Sequence, residues 1–388
     1  RNVQPLFAEL DCGGFALAHN GNLTNARQLR EQLIRTGSIF QSTSDTEVFL
    51  HLTATSRKGN LVDRMVDGLR QVEGAFSIVA LTENCLIGVR DSMGVRPLVI
   101  GRLDANTHIL ASETCALDII GASFVRDVEA GEMVVLDTSG VHSLRPFAPA
   151  RSRMCIFEYI YFARPDSIME GSSVYESRKR IGQELALESH VPADVVIPVP
   201  DSGVPAAIGY AEAAEVPFDL GIIRNHYVGR TFIEPGQQIR NLGVRLKHNA
   251  NRHCIEGKRV VLVDDSIVRG TTSIKIVEMV RSAGAREVHM RIAAPPTAFP
   301  CFYGIDTPEK SELLASHLDV PQMAEHIGVD SLSFISMNGL YRAMGEPGRN
   351  DLSPKFCDAC FTGDYPISLT DFEGGGQQNQ LSLLAELA

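Results

Sequence analysis

The stretch VVLVDDSIVRGTTS, residues 260–273, runs four aliphatic side chains into two adjacent carboxylates and then into a hydroxyl-rich loop with one Arg and one Gly. A continuous apolar run that ends in loop residues reads as a strand buried on both faces, the habit of parallel sheets. Downstream, Ile276, Val277, Val280 and Ala283 share a helical face and Gly284 is a stop. A loop between strand and helix presents backbone N–H groups at the positive end of the helix dipole, so Ser266 to Ser273, with Arg269 as its cation, suits a phosphate. Gly270 lets the backbone come close, and Thr271, Thr272 and Ser273 add hydroxyl donors. Asp264 and Asp265 would be repelled by that phosphate, so they are placed to hydrogen-bond the hydroxyls of an attached sugar or to hold Mg2+. Phosphate and sugar together indicate a phosphorylated ribose. An acidic strand end with a helix N-cap explains DDS alone, but not the whole pattern.

The same texture extends outward. DVVIPVP (194–200) runs into DSG and the helix-like VPAAIGYAEAA, followed by PFDLGII, and EVHMRIAAPP (287–296) reads as the next strand. Strands alternating with helices imply a parallel sheet with right-handed crossovers, whose ligands lie beyond the carboxyl ends of the strands. Residues 1 to about 147 differ, with short β-like runs FSIVAL (76–81), CLIGV (85–89) and MVVL (133–136). Between them NARQLREQLIRTG places Leu29, Leu33 and Ile34 at helical spacing, and GNLVDRMVDGLRQVEGA repeats this with Leu61, Met65 and Leu69. An α+β domain fits, with RPFAPARSR (145–153) as its exit linker, and the tail after about 368 is assigned no function.

The 388 residues, 44% hydrophobic and 21% charged, allow two domains. A formal charge of -11 argues against a nucleic-acid partner bound by a broad basic face. The chain lacks the run of about 18 apolar residues that a membrane helix needs. Eight Cys in a chain this long suggest a reducing compartment, the cytoplasm, rather than a disulfide scaffold.

The pattern of apolar run, two acids and an R-G-T-T loop resembles the 5-phosphoribosyl-1-pyrophosphate (PRPP) motif of type I phosphoribosyltransferases. In that family a second loop handles pyrophosphate, and PDSG (200–203) is its counterpart here, with Ser202 a hydroxyl ligand to Mg2+ shared with Asp264 and Asp265. NHYVGRTFIEPGQQIR (225–240), with Arg230 and Arg240, reads as a lid over the pyrophosphate. In the first domain HNGN (19–22) reads as a tight turn in which Asn20 and the Gly21 backbone donate to an oxyanion, and Asp45 of SDTE (44–47) holds an α-amino group. NVQP (2–5), HNGNLTN, SDTE, DSMGVRPL (91–98) and ASE (111–113), in this order, are similar to a class II glutamine amidotransferase domain. With FEYIYFARPDS (157–167) and the PRPP motif, the chain resembles the amidophosphoribosyltransferases, which open de novo purine synthesis.

The resemblance implies an α+β Ntn-hydrolase-like glutaminase domain over 1–147, an α/β phosphoribosyltransferase domain with a parallel sheet over 148–368, and a tail over 369–388. Glutamine hydrolysed in the first domain yields ammonia, which displaces pyrophosphate from PRPP in the second. The family's nucleophile is an N-terminal Cys ahead of the N-x-Q-P stretch, whereas this sequence opens at Arg1, and Cys12, Cys85 and Cys115 stand in other contexts. The glutaminase half is therefore expected to be truncated and the chain to use free ammonia. A homotetramer with purine nucleotides as feedback ligands is also implied. The alternatives are a salvage phosphoribosyltransferase and a non-catalytic PRPP-sensing regulator, which would want a DNA-binding element this acidic chain does not show.

Cys357 and Cys360 form a CxxC, and Cys155 and Cys301 are two further thiols that with it satisfy tetrahedral zinc or a [4Fe-4S] cluster. Spacing does not choose. One branch of the family carries a [4Fe-4S] cluster on Cys in these contexts, which implies the cluster here. Cys254 and the three N-terminal Cys are expected to be buried small hydrophobes.

Overall fold

The structure is a computed structural model that describes residues 2–225, 248–307 and 309–372. Arg230 and Arg240 of the expected lid, and the tail from 373, lie outside the described residues.

The first domain is built on antiparallel strands β1 (Leu6–Leu10), β2 (Gly13–Leu23), β3 (Gly74–Thr82), β4 (Leu86–Arg90), β5 (Val99–Arg102), β6 (His108–Ala111), β7 (Ser123–Asp127), β8 (Met133–Asp137) and β9 (Gly140–Leu144). They form a six-stranded sheet in the order β1-β2-β3-β4-β8-β9 and a three-stranded sheet β6-β5-β7. Phe15, Leu17, Ile78 and Ala80 of the large sheet, with Phe49, Met65 and Leu69 from helices, make one core. The helices Ala26–Arg35, Asp45–Thr55 and Leu61–Leu69 follow the expected periodicity, with one correction. Leu29 and Leu33 are buried, but Ile34 is 52% exposed, because the apolar stripe of this helix is only one residue wide per turn.

The second domain continues through β10 (Met154–Cys155), the short pair β11 (Ile168–Met169) and β12 (Ser172–Ser173), β13 (Val195–Pro198), the antiparallel pair β14 (Ile222–Arg224) and β15 (His248–Ala250), β16 (Arg259–Asp264), β17 (Glu287–Ile292), β18 (Ser331–Phe334) and β19 (Phe356–Cys357). Its sheet has the order β13-β16-β17-β18, parallel throughout. Val260, Val261, Leu262 and Val263 of β16 are wholly buried, as a central strand covered on both faces requires. PFDLGII contributes only β14, and β17 ends at Ile292, short of the expected Pro296.

Helices Val174–Ser189 and Val204–Ala214 pack backbone to backbone on the sheet. A Cβ on Gly182 would stand 1.9 Å from Ala206 O, and one on Gly209 would stand 2.0 Å from Lys179 O, so only glycine permits this approach. The tail's first residues return to the first domain. Asp371 accepts from the N–H groups of Arg27 (2.7 Å) and Gln28 (3.1 Å) at the start of the Ala26–Arg35 helix. Among the described residues, no helix is long and apolar enough to cross a membrane.

Candidate active site

Strands β13 and β16 lie side by side in the register Val195↔Val260 to Pro198↔Val263, so the loops leaving their carboxyl ends must meet. Ser202 Oγ donates to Asp265 Oδ2 at 2.5 Å, and Ser266 Oγ donates to Asp265 Oδ1 at 2.5 Å. The Asp265 N–H donates to Asp264 Oδ1 at 2.9 Å. Both acids are buried. Burial, reinforced by the neighbouring Asp265 charge, pushes the Asp264 carboxyl well above its usual range. Burial also raises Asp265, held back by the Ser202 and Ser266 hydroxyls and by the Arg178 guanidinium. Two adjacent buried carboxyls with the Ser202 and Ser266 hydroxyls beside them are the oxygen donors that a hard divalent cation such as Mg2+ takes once they ionise, and the residues fit that ion.

The loop residues divide. Gly270 has φ 76° and precedes the Thr271–Ser282 helix, and a Cβ there would stand 2.8 Å from Leu314 Cδ2. Thr271 and Thr272 are exposed on the first turn. Ser273 lies with Ile276, Val277 and Val280 on the packed stripe of this helix and is 3% exposed, so its side chain belongs to the core side rather than to an open phosphate site. Arg269 is exposed and paired with Glu312 at 3.2 Å.

Sequence reasoning missed Arg178. Its Nε donates to Tyr159 O (2.9 Å) and its Nη2 to Ala163 O (2.7 Å), and with Ser202 and Asp265 it lines a narrow crevice. Nothing local in the sequence marks an Arg inside a helix as a partner of an acid pair 87 positions away.

On the first domain, HNGN is not a tight turn but the end of β2, because its pairing to β3 continues through Asn20↔Ser77, Gly21↔Phe76 and Asn22↔Ala75. The Phe76 N–H donates to Asp91 Oδ2 and its carbonyl accepts from Asp91 N–H, so Phe76 bonds away from β2. Gly21, its partner, therefore turns its N–H off the sheet edge. On that same side the His19 N–H meets Gln4 Oε1 at 2.5 Å. Asn20 is exposed. Asp45 opens the Asp45–Thr55 helix and accepts from the Leu23 N–H at 2.9 Å, with His19 Nδ1 3.6 Å away. Burial opposes ionisation of Asp45, but His19 and the Leu23 and Thr46 amides outweigh it and hold the carboxyl below its usual value. Asn2 bonds Thr43 through both side-chain atoms, so the NVQP, HNGN and SDTE segments converge. Glu113 of ASE is elsewhere, accepting from the Arg164 N–H and the Ser167 hydroxyl at 2.8 Å across the domain junction.

Cys155, Cys301, Cys357 and Cys360 line one small pocket. Parallel pairing of β10 with β19 puts Cys155 opposite Cys357, and the CxxC turn carries Cys360. Burial, with a contribution from Glu158, pushes the Cys155 thiol up to about 12, and burial also drives up the Cys301, Cys357 and Cys360 thiols. Among the described residues no three His, Cys, Asp or Glu side chains are arranged around a single ion. Four thiols that line one pocket are a donor set that suits a thiolate-bound metal centre. Of the other Cys, Cys115 and Cys254 are buried, Cys85 is half-buried, and Cys12 is exposed, contrary to expectation.

The fold and site together define a two-domain enzyme class, an amidotransferase domain joined to a phosphoribosyltransferase domain. A family model described as a glutamine amidotransferase domain matches residues 1–118, and one described as a phosphoribosyl transferase domain matches residues 176–295. The chain is 60% identical to the amidophosphoribosyltransferase of Rhizobium etli, over 99% of this chain and 79% of that protein. It is 51% identical to that of Bacillus subtilis, over 95% and 77%. It also superposes with TM-score 0.89 and 50% identity on the glutamine PRPP amidotransferase from B. subtilis complexed with ADP and GMP, covering 95% of this chain and 81% of that one. The chain belongs to the amidophosphoribosyltransferase family.

Proposed function

We propose that this chain forms 5-phosphoribosylamine and pyrophosphate from PRPP and glutamine-derived ammonia, the first step of de novo purine synthesis. The observation that carries this is the meeting of Ser202 with Asp265 at the carboxyl ends of adjacent parallel strands, in a chain whose other domain holds Asp45 against the end of the strand that carries Asn20 and Gly21. Mg2+ bound at the acid pair would neutralise the pyrophosphate as it leaves. Asp264 and Asp265 orient the ribose hydroxyls, the amides before the Thr271–Ser282 helix hold the 5'-phosphate, and Arg230 and Arg240 close over the pyrophosphate. No strong general base is needed, because ammonia is already nucleophilic and departure of pyrophosphate is the harder step. In the glutamine site Asp45 holds the α-amino group, while Asn20 and the Gly21 N–H face the oxyanion. The test is pyrophosphate release from Mg2+-PRPP with ammonia against release with purine and pyrimidine bases. Release with ammonia alone is expected, and release only with a base would make the chain a salvage enzyme.

The proposal extends to a [4Fe-4S] cluster on Cys155, Cys301, Cys357 and Cys360, supported by their common pocket and by the family resemblance of their contexts. Such a group would be structural or oxygen-sensing, since the transfer moves no electrons. Iron and acid-labile sulfide near four each per chain are expected, and stoichiometric zinc would contradict the assignment. Feedback binding of purine nucleotides is part of the same reading, supported by the ADP and GMP complex of the B. subtilis neighbour. Exposed Ile119, Ile120, Phe124 and Val125 support assembly into a homo-oligomer. Unpaired cysteines support a reducing compartment such as the cytoplasm.

A further inference from the structure

Residues 301–305 alternate between two neighbours. Cys301, Tyr303 and Ile305 line the thiol pocket. Between them the backbone meets the first domain, where the Phe302 carbonyl accepts from Asn22 Nδ2 at 2.9 Å while the Phe302 ring packs on Tyr365 and Phe372. Gly304, with φ 96°, lies against Gly21 so closely that a Cβ added to it would stand 2.4 Å from Gly21 Cα, 2.6 Å from Gly21 C and 2.8 Å from Gly21 O. Gly21 is confined on its other side as well, since its own Cβ position would fall 2.0 Å from Ala75 O. The last residues of β2 are thus gripped between β3 of their own domain and a backbone segment of the other domain.

Resting on the assignment of the Gly21 N–H to the oxyanion, we propose that Gly304 and the Phe302 carbonyl are positioning groups for glutamine hydrolysis, supplied by the phosphoribosyltransferase domain. An oxyanion donor is effective only when it is already aimed at the place where charge develops. The N–H of an edge residue beyond the end of β1 has no further strand to fix it, because the β1 pairing covers only Gly13 to Leu17. The 302–304 segment supplies that constraint by contact with Gly21 and by the bond to Asn22. The glutamine site is therefore complete only when both domains are docked.

The test uses the protein carrying the Cys-bearing segment that the family places ahead of N-x-Q-P, and measures glutamine hydrolysis and ammonia-dependent pyrophosphate release side by side. Gly304→Ala pushes Gly21 aside and is expected to lower kcat for glutamine roughly 10- to 100-fold, short of the ~10²–10³ seen when a donor is removed outright. Glutamine KM, set by Asp45, stays within about threefold, and ammonia-dependent turnover within about twofold. Asn22→Ala adds no volume and removes only the bond to Phe302, so it is expected to lower the same kcat several-fold with the same KM and ammonia profile. Equal loss of both activities in both variants, or no loss of glutamine kcat in either, overturns the proposal. The underlying oxyanion assignment fails separately, and takes the proposal with it, if Asn20→Ala, at the donor beside Gly21, leaves glutamine kcat unchanged.

Discussion

Asp265 links the loops that leave β13 and β16 at the proposed phosphoribosyl site. One carboxylate oxygen takes the Ser202 hydroxyl from the β13 loop, the other takes Ser266, and Arg178 approaches from behind. A hydrogen bond to a charged group contributes about 1.5–3 kcal/mol. Ser202→Ala is therefore expected to lower kcat/KM for PRPP by about 10- to 100-fold while leaving glutamine hydrolysis unchanged, as read by steady-state kinetics of the two half-reactions. Equal kcat/KM for PRPP in the variant would remove Ser202 from the site. The placing of Asp264, Asp265 and the Gly270 turn between a strand and a helix was readable from the whole pattern of apolar run, two acids and R-G-T-T loop, not from the acids alone. The side of the helix on which Ser273 falls was not, since one residue's offset in helical phase decides between core and ligand.

At the level of elements, the site exists because two strands of one parallel sheet are neighbours, and the helices behind them hold the strands at fixed height. The glycine contacts between Val174–Ser189 and Val204–Ala214 bring those helices together directly behind the Ser202 loop. Gly182→Ala drives a methyl into the Ala206 carbonyl and is expected to cost about 1–3 kcal/mol by overpacking. Thermal unfolding should show a lower Tm, with PRPP turnover falling alongside it. An unchanged Tm would mean that the helices part freely. Strands β3, β4, β8 and β16 were legible from their apolar runs, and the helix from Val204 from its Gly203 and Pro205 punctuation. The extension of β2 through HNGN was not legible, because Asn and Gly signal a turn locally and only the long pairing with β3 overrides them.

Across the whole molecule, the thiol pocket is walled by residues of both domains. Cys155 and Cys357 meet through a two-residue parallel pairing between segments about two hundred positions apart, a contact that no local pattern encodes. Arg96 of the first domain lines the same pocket and pairs with Glu158 at 3.1 Å, while Glu113 fastens the ARPDS segment. The domain order could be read from the motifs, but this mutual support could not, because it depends on the docking of surfaces. The central claim remains that the buried acid pair binds Mg2+-PRPP, and calorimetric titration of PRPP in the presence of Mg2+ tests it most directly. The unmodified protein is expected to bind, and the Asp264→Asn, Asp265→Asn double variant to lose at least about 100-fold in affinity while keeping its Tm, since buried amides replace carboxyls that already resist ionisation. Undiminished affinity in that variant would contradict the account.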